Sequence, residues 1–147
     1  MPRSNRTLTQ FAVDKLVAFH DGTLRDPDLE TMGNTSVALH ITPETTTFQV
    51  FLFDQCIFEL DENHIMVRNG GFFDSKGRPS RTTRERLNGL LDICGELGII
   101  PAGVRIFLAN NGEKETAMVG KGDTAATLDE QTPDRVIVRN PDQLLVF

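Results

Sequence analysis

The stretch TTTFQVFLFDQCIFELDENHIMVRN, Thr45–Asn69, decides the fold. Its β-branched and aromatic residues come in three runs, TTFQVFLF, CIFEL and HIMVRN, and turn-length gaps at Asp54-Gln55 and Asp61-Glu62-Asn63 separate them. Runs of this length with gaps this short predict an antiparallel meander, because two-residue to four-residue connections cannot carry a parallel crossover. Upstream, Val37, Leu39 and Ile41 alternate with polar or small residues before Pro43, which adds a further strand. Three or four strands should therefore pair here.

Helical signals flank the meander. In TLTQFAVDKLVAFHDG, Thr7 and Gln10 fit a capping box, Phe11, Val13, Leu16, Val17 and His20 make an apolar stripe, and Gly22 ends it. The polar LRDPDLETMGNT segment reads as a loop, so residues 1–35 form an N-terminal helical extension. On the far side, Thr82 and Glu85 form a second capping box. Leu87, Leu90, Leu91, Cys94 and Leu97 then share one face of a strong helix over about 82–97, stopped by Gly98. The runs VRIFLANN, ETAMVG, DRVIVRN and QLLVF read as further strands, with a polar, flexible connection from Gly120 to Pro133. The class is α+β, mainly an antiparallel β-meander packed with an N-terminal helix and one strong central helix.

A chain of 147 residues with 39% hydrophobic and 24% charged residues is one domain of ordinary globular composition. No apolar run reaches the roughly 18 residues of a membrane span, and MPRSNRTLTQ lacks a signal peptide's apolar centre, which points to the cytosol. Cys56 and Cys94 fall in a strand and on a helix stripe, where cysteine acts as a small hydrophobe. His20, His40 and His64 lack metal-ligand spacing, and no metal or other cofactor is implied. No P-loop, GxSxG or HExxH motif occurs, and a general acid and base would have to come from His40 and His64, each at a strand. The expectation is a protein without catalytic residues. A pI near 5.0 disfavours duplex nucleic acid.

Against that acidic background, Lys76, Arg78, Arg81, Arg84 and Arg86 crowd into eleven residues around the start of the central helix. Helix N-termini expose unpaired N–H groups, and Thr82 and Thr83 add hydroxyls, so arginine forks there make an anion site for phosphate. Arg81 and Arg84 are its leading ligands, and Asn88, one turn after Arg84, reads a sugar or base edge. Three neighbours favour a nucleotide over bare phosphate. Phe72 or Phe73 can stack on a base, Gly70-Gly71 permits close approach, and Arg68 adds a cation. A second reading stands beside it, in which Phe72 and Phe73 cover the core and the arginines pair with this chain's own acids.

The segment from VFLF to RLNGLL, with Gly70, Gly71, Phe72 or Phe73, Thr82, Thr83, Arg86, Leu87 and Asn88 at its motif positions, resembles small phage proteins of the Thoeris anti-defence sponge type. The resemblance covers about a third of the chain. It implies sequestration of cyclic ADP-ribose isomers without cleavage, oligomers with pockets between subunits, in some members a separate site for cyclic oligonucleotides, and residence in the host cytoplasm. The extension through Thr35, the doubled phenylalanine and the basic DSKGRPSR segment depart from that pattern. A nucleotide-binding homo-oligomer is the expectation. The alternatives are an acidic module that inhibits a host protein through its acids near Asp54–Glu62 and Asp123–Asp134, and a nucleotide-cleaving enzyme.

Overall fold

A computed structural model describes residues 4–112 and 114–147. Helix α1, Asn5–His20, precedes strands β1 (Glu30–Met32), β2 (Thr35–Ile41), β3 (Thr46–Leu52), β4 (Gln55–Leu60) and β5 (His64–Arg68). Helix α2, Arg81–Glu96, follows, then β6 (Arg105–Asn111), β7 (Lys114–Gly120), β8 (Ala126–Thr127) and β9 (Asp134–Val138). The strands form a six-stranded sheet in the order β1-β2-β3-β4-β5-β9 and a three-stranded sheet β6-β7-β8, with every pairing antiparallel. The α+β architecture agrees with the sequence reading.

Alternation along the meander sorts its residues between two faces. Val37, Leu39, Phe48, Val50, Leu52, Phe58, Leu60, Ile65, Val67 and Ile137 lie buried on the face beneath the helices. A register shift at Val50/Phe51 inserts Ile57 as an extra buried residue in β4. Gly70 follows the meander at φ 73, and a Cβ there would stand 2.7 Å from Ile57 Cγ2, so the β5 exit accepts only glycine.

Both capping boxes are displaced. Ser4 caps α1, accepting from Thr7 N–H, and Ser80 caps α2, accepting from Thr83 N–H, so each helix starts two or more residues earlier than the Thr-based reading placed its cap. Thr7 is instead the donor to the α1 cap, and in α2 that part falls to Thr83 and not to Thr82. Residues Glu30–Met32 form a strand inside the expected loop, and QLLVF lies against β9 through a bridge from Val146 to Ile137 and its flanking hydrogen bonds. Helix α1 buries Leu8, Ala12 and Leu16.

The helices cross closely at Gly89. A Cβ there would sit 2.2 Å from Thr9 Cγ2, and Thr9 cannot swing aside because its hydroxyl accepts a 2.6 Å hydrogen bond from Arg86. Gly89→Ala should therefore destabilise the protein by about 1–3 kcal/mol through overpacking in urea unfolding. Adding Thr9→Ser, which deletes the methyl and keeps the hydroxyl, should recover most of that loss.

Candidate functional site

The arginine-rich segment does not form one patch; the chain distributes its charges. Arg78 pairs with Asp74 at 2.7 Å and with Glu115 on β7, which ties the 74–80 loop to the second sheet. Burial pushes the Asp74 carboxyl up, but the N–H groups of Arg78 and Lys76 and the Arg78 guanidinium outweigh it, leaving Asp74 below the ordinary carboxylate range. Arg81 projects into solvent, 84% exposed, and donates to Glu85 at 2.9 Å. Arg68 lies on the uncovered sheet face against Glu59 at 3.3 Å. These pairings match the second of the two readings.

Arg86 corrects the first reading outright, because it is fully buried and cannot meet a ligand from solvent. Its Nη1 donates to Asn5 O at 3.0 Å and Thr9 Oγ1 at 2.6 Å, and its Nη2 to Asn34 Oδ1 at 3.2 Å and Asn5 Oδ1 at 3.4 Å. Nε has no partner among the described residues. Burial draws the guanidinium below its ordinary arginine value, opposed by the charge of Glu85. Asn88 is likewise committed: its amide donates to Ile106 O at 3.1 Å and accepts from Ile106 N–H at 2.7 Å, docking β6 on α2. Thr83 is buried with its hydroxyl on that of Ser80.

Helix geometry then separates the remaining candidates. Residues four apart share a ridge, so Arg84 lies with Asn88 on the flank facing β6, while Thr82 lies with Arg86 on the flank facing α1 and Asn34. The second flank reaches an aromatic pair. Asn34 O accepts Phe53 N–H at 2.7 Å, the Phe53 ring meets Phe72 with centroids 5.5 Å apart at 59°, and Phe72 O accepts the N–H of the cap Ser80 at 2.8 Å. Phe73 forms an isolated antiparallel bridge with Pro79.

Phe53 was missed from sequence because the hairpin turn was set at Asp54-Gln55; the turn is Phe53-Asp54, with Gln55 already in β4. Phe53 is the one described non-glycine residue at positive φ, 54°, and it is 60% exposed. A bulky residue in the left-handed region costs roughly 1–2 kcal/mol, and this ring does not repay it in the core. Thr82 makes no side-chain hydrogen bond among the described residues, and as the second residue of α2 its N–H has no intrahelical acceptor. The Phe53–Phe72 pair is thus joined to the start of α2 through the backbone bond from Ser80 N–H to Phe72 O.

A family model described as Kyanoviridae Gp96 protein matches residues 18–124, most of the chain. The chain belongs to this phage family. No curated protein and no solved structure matches it. The Gp96 match takes in Asn34, Phe53, Phe72 and the whole of α2, whereas Asn5 and Thr9 lie outside it. Among the described residues of this Gp96 protein, no group of three or more His, Cys, Asp or Glu could hold a metal ion, and no helix is long and apolar enough to cross a membrane. Burial, then the charge of Glu59, pushes the Cys56 thiol up to about 12, and burial does the same to Cys94, so both stay protonated at neutral pH.

Arg86→Met should orphan acceptors on Asn5, Thr9 and Asn34, each costing roughly 1–3 kcal/mol, and so lower urea-unfolding stability by several kcal/mol. Arg84→Ala should stay within about 0.5 kcal/mol of the parent in the same assay.

Proposed function

We propose that this phage protein is a non-catalytic sponge that binds and sequesters a cyclic nucleotide signal, a cyclic ADP-ribose isomer or a cyclic oligonucleotide. Phe53 carries the reading: an aromatic ring held in a strained backbone conformation, exposed, and tilted at 59° against Phe72, whose carbonyl bonds the cap of α2. Stacking asks for such a ring, because every base offers a π-face. The phosphate falls to the first turn of α2, where the Arg81 and Thr82 N–H groups, the Thr82 hydroxyl and the Arg81 guanidinium supply donors. Arg86 serves the site from behind, by holding Asn34 where its carbonyl fixes the Phe53 turn.

Sequestration needs no nucleophile, and thiols held near 12 supply none. The resemblance to the Thoeris anti-defence sponges names the ligand class, and the phage family fits a protein that blunts a host signal.

Calorimetric titration with cyclic ADP-ribose isomers and cyclic di- and trinucleotides, with mass analysis of the recovered ligand, tests this. The expected result is binding with intact ligand, weakened about 5- to 150-fold by Phe53→Ala, as loss of one base stack requires, and weakened by Thr82→Ala. Arg84→Ala should leave the affinity unchanged. Binding unaffected by Phe53→Ala, recovery of a hydrolysed ligand, or no binding across the panel would each overturn it.

A further inference from the structure

The two edges of the six-stranded sheet are finished differently. On the β9 side the C-terminal segment closes the edge: Val136 and Phe147 exchange N–H···O bonds at 3.0 and 2.8 Å, and Val138 N–H reaches Leu145 O at 3.0 Å. On the other side β1 is only three residues long and pairs with Thr35, Ser36 and Val37 alone, so β2 runs on past it.

Which way the rest of β2 points follows from its pairing with β3. Asn34 O accepts Phe53 N–H at one end, and Thr42 N–H donates to Thr45 O at the other, in line with the register from Thr35↔Leu52 to Ile41↔Thr46. Alternate residues of an antiparallel strand direct their peptide groups to opposite sides, so residues 34, 36, 38, 40 and 42 face β3. Residues 35, 37, 39 and 41 face outward. Thr35 and Val37 are taken by Met32 and Glu30, whereas Leu39 and Ile41 have no backbone partner on that side among the described residues. Ile41 is 54% exposed, and Leu29, leading into β1, is 60% exposed. Neither β1 nor β2 carries a lysine of its own, and Pro43 stands just beyond β2.

We propose that this edge pairs with the same edge of a second copy, joining two sheets through antiparallel β2 strands about a two-fold axis at His40. The open stretch is short: β1 blocks it at one end and the Pro43–Thr45 turn leaves the sheet at the other. A long foreign strand runs into β1, whereas a second β2 turns off at its own Pro43 before it reaches β1 and at its other end runs straight out past the Pro43–Thr45 turn, and so fits the gap. Two outward residues flanking a central one are also self-complementary. Leu39 meets Ile41 of the second copy and Ile41 meets its Leu39, each pair exchanging two N–H···O bonds. The four bonds satisfy every open peptide group on this stretch, and Leu29 and Ile41 gain apolar cover. His40 then faces His40 of the second copy as a non-hydrogen-bonded pair, with Cα atoms about 4.5 Å apart.

The register gives a sharp test. Light scattering over a wide concentration range should find a species of twice the 16.4 kDa chain mass. Ile41→Pro should return it to monomer, since proline removes the outward N–H at a position where the isolated fold has no use for it. His40→Cys should form an intermolecular disulfide readily under mild oxidation. Ala38→Cys on the same face should not, because its two copies stand roughly 13 Å apart at about 3.3 Å per residue, beyond disulfide reach. A monomeric mass at every concentration, whether the edge stays bare or takes another protein's strand, would overturn the proposal, as would equal cross-linking of the two cysteine variants.

Discussion

A buried guanidinium organises this molecule. Arg86 sits in the second turn of α2 with no carboxylate in ion-pair contact among the described residues, held by the start of α1 and by Asn34 in the β1–β2 turn. A charge so placed is tolerable only if neutral acceptors surround it closely, which fixes where those acceptors must stand. Helix α1 is thereby set against α2 at the Gly89 crossing, and Asn34 is set against the Phe53 turn. One side chain thus positions three elements whose sequence separations reach 81 residues.

This explains why the basic run is misleading when read as a surface. Local density identified Arg78, Arg81, Arg84 and Arg86 as one group, but a helix turns 100° per residue, so neighbours in sequence face α1, β6 or solvent in turn. Arg78 is consumed by carboxylates near and far in sequence, Arg81 gives only its Nε to Glu85 one turn away, and Arg86 is consumed by α1 and Asn34. The aromatic pair forms where the chain could not advertise it, between a hairpin turn and the loop before α2.

What was legible followed period and punctuation. The meander strands and both helices stand where alternation and the leucine stripe put them, because burial on one face sets each pattern locally. Helix starts slipped, since serine at Ser4 and Ser80 competes with the nearby threonines and only the backbone geometry decides between them. The Phe53-Asp54 turn was hidden because a bulky residue at positive φ breaks the turn rule that sequence reading relies on. The partners of Arg86 and Asn88 were not legible at all; each is a long-range contact that no spacing encodes.

Arg86 is architecture and not ligand surface, which side-chain NMR of the arginine guanidinium groups in the free protein can check. Arg86 should give separate, slowly exchanging Nη protons, protected well beyond those of solvent-exposed Arg81. Arg86 protons exchanging as fast as those of Arg81 would contradict it, and would return the residue to the list of groups open to a ligand.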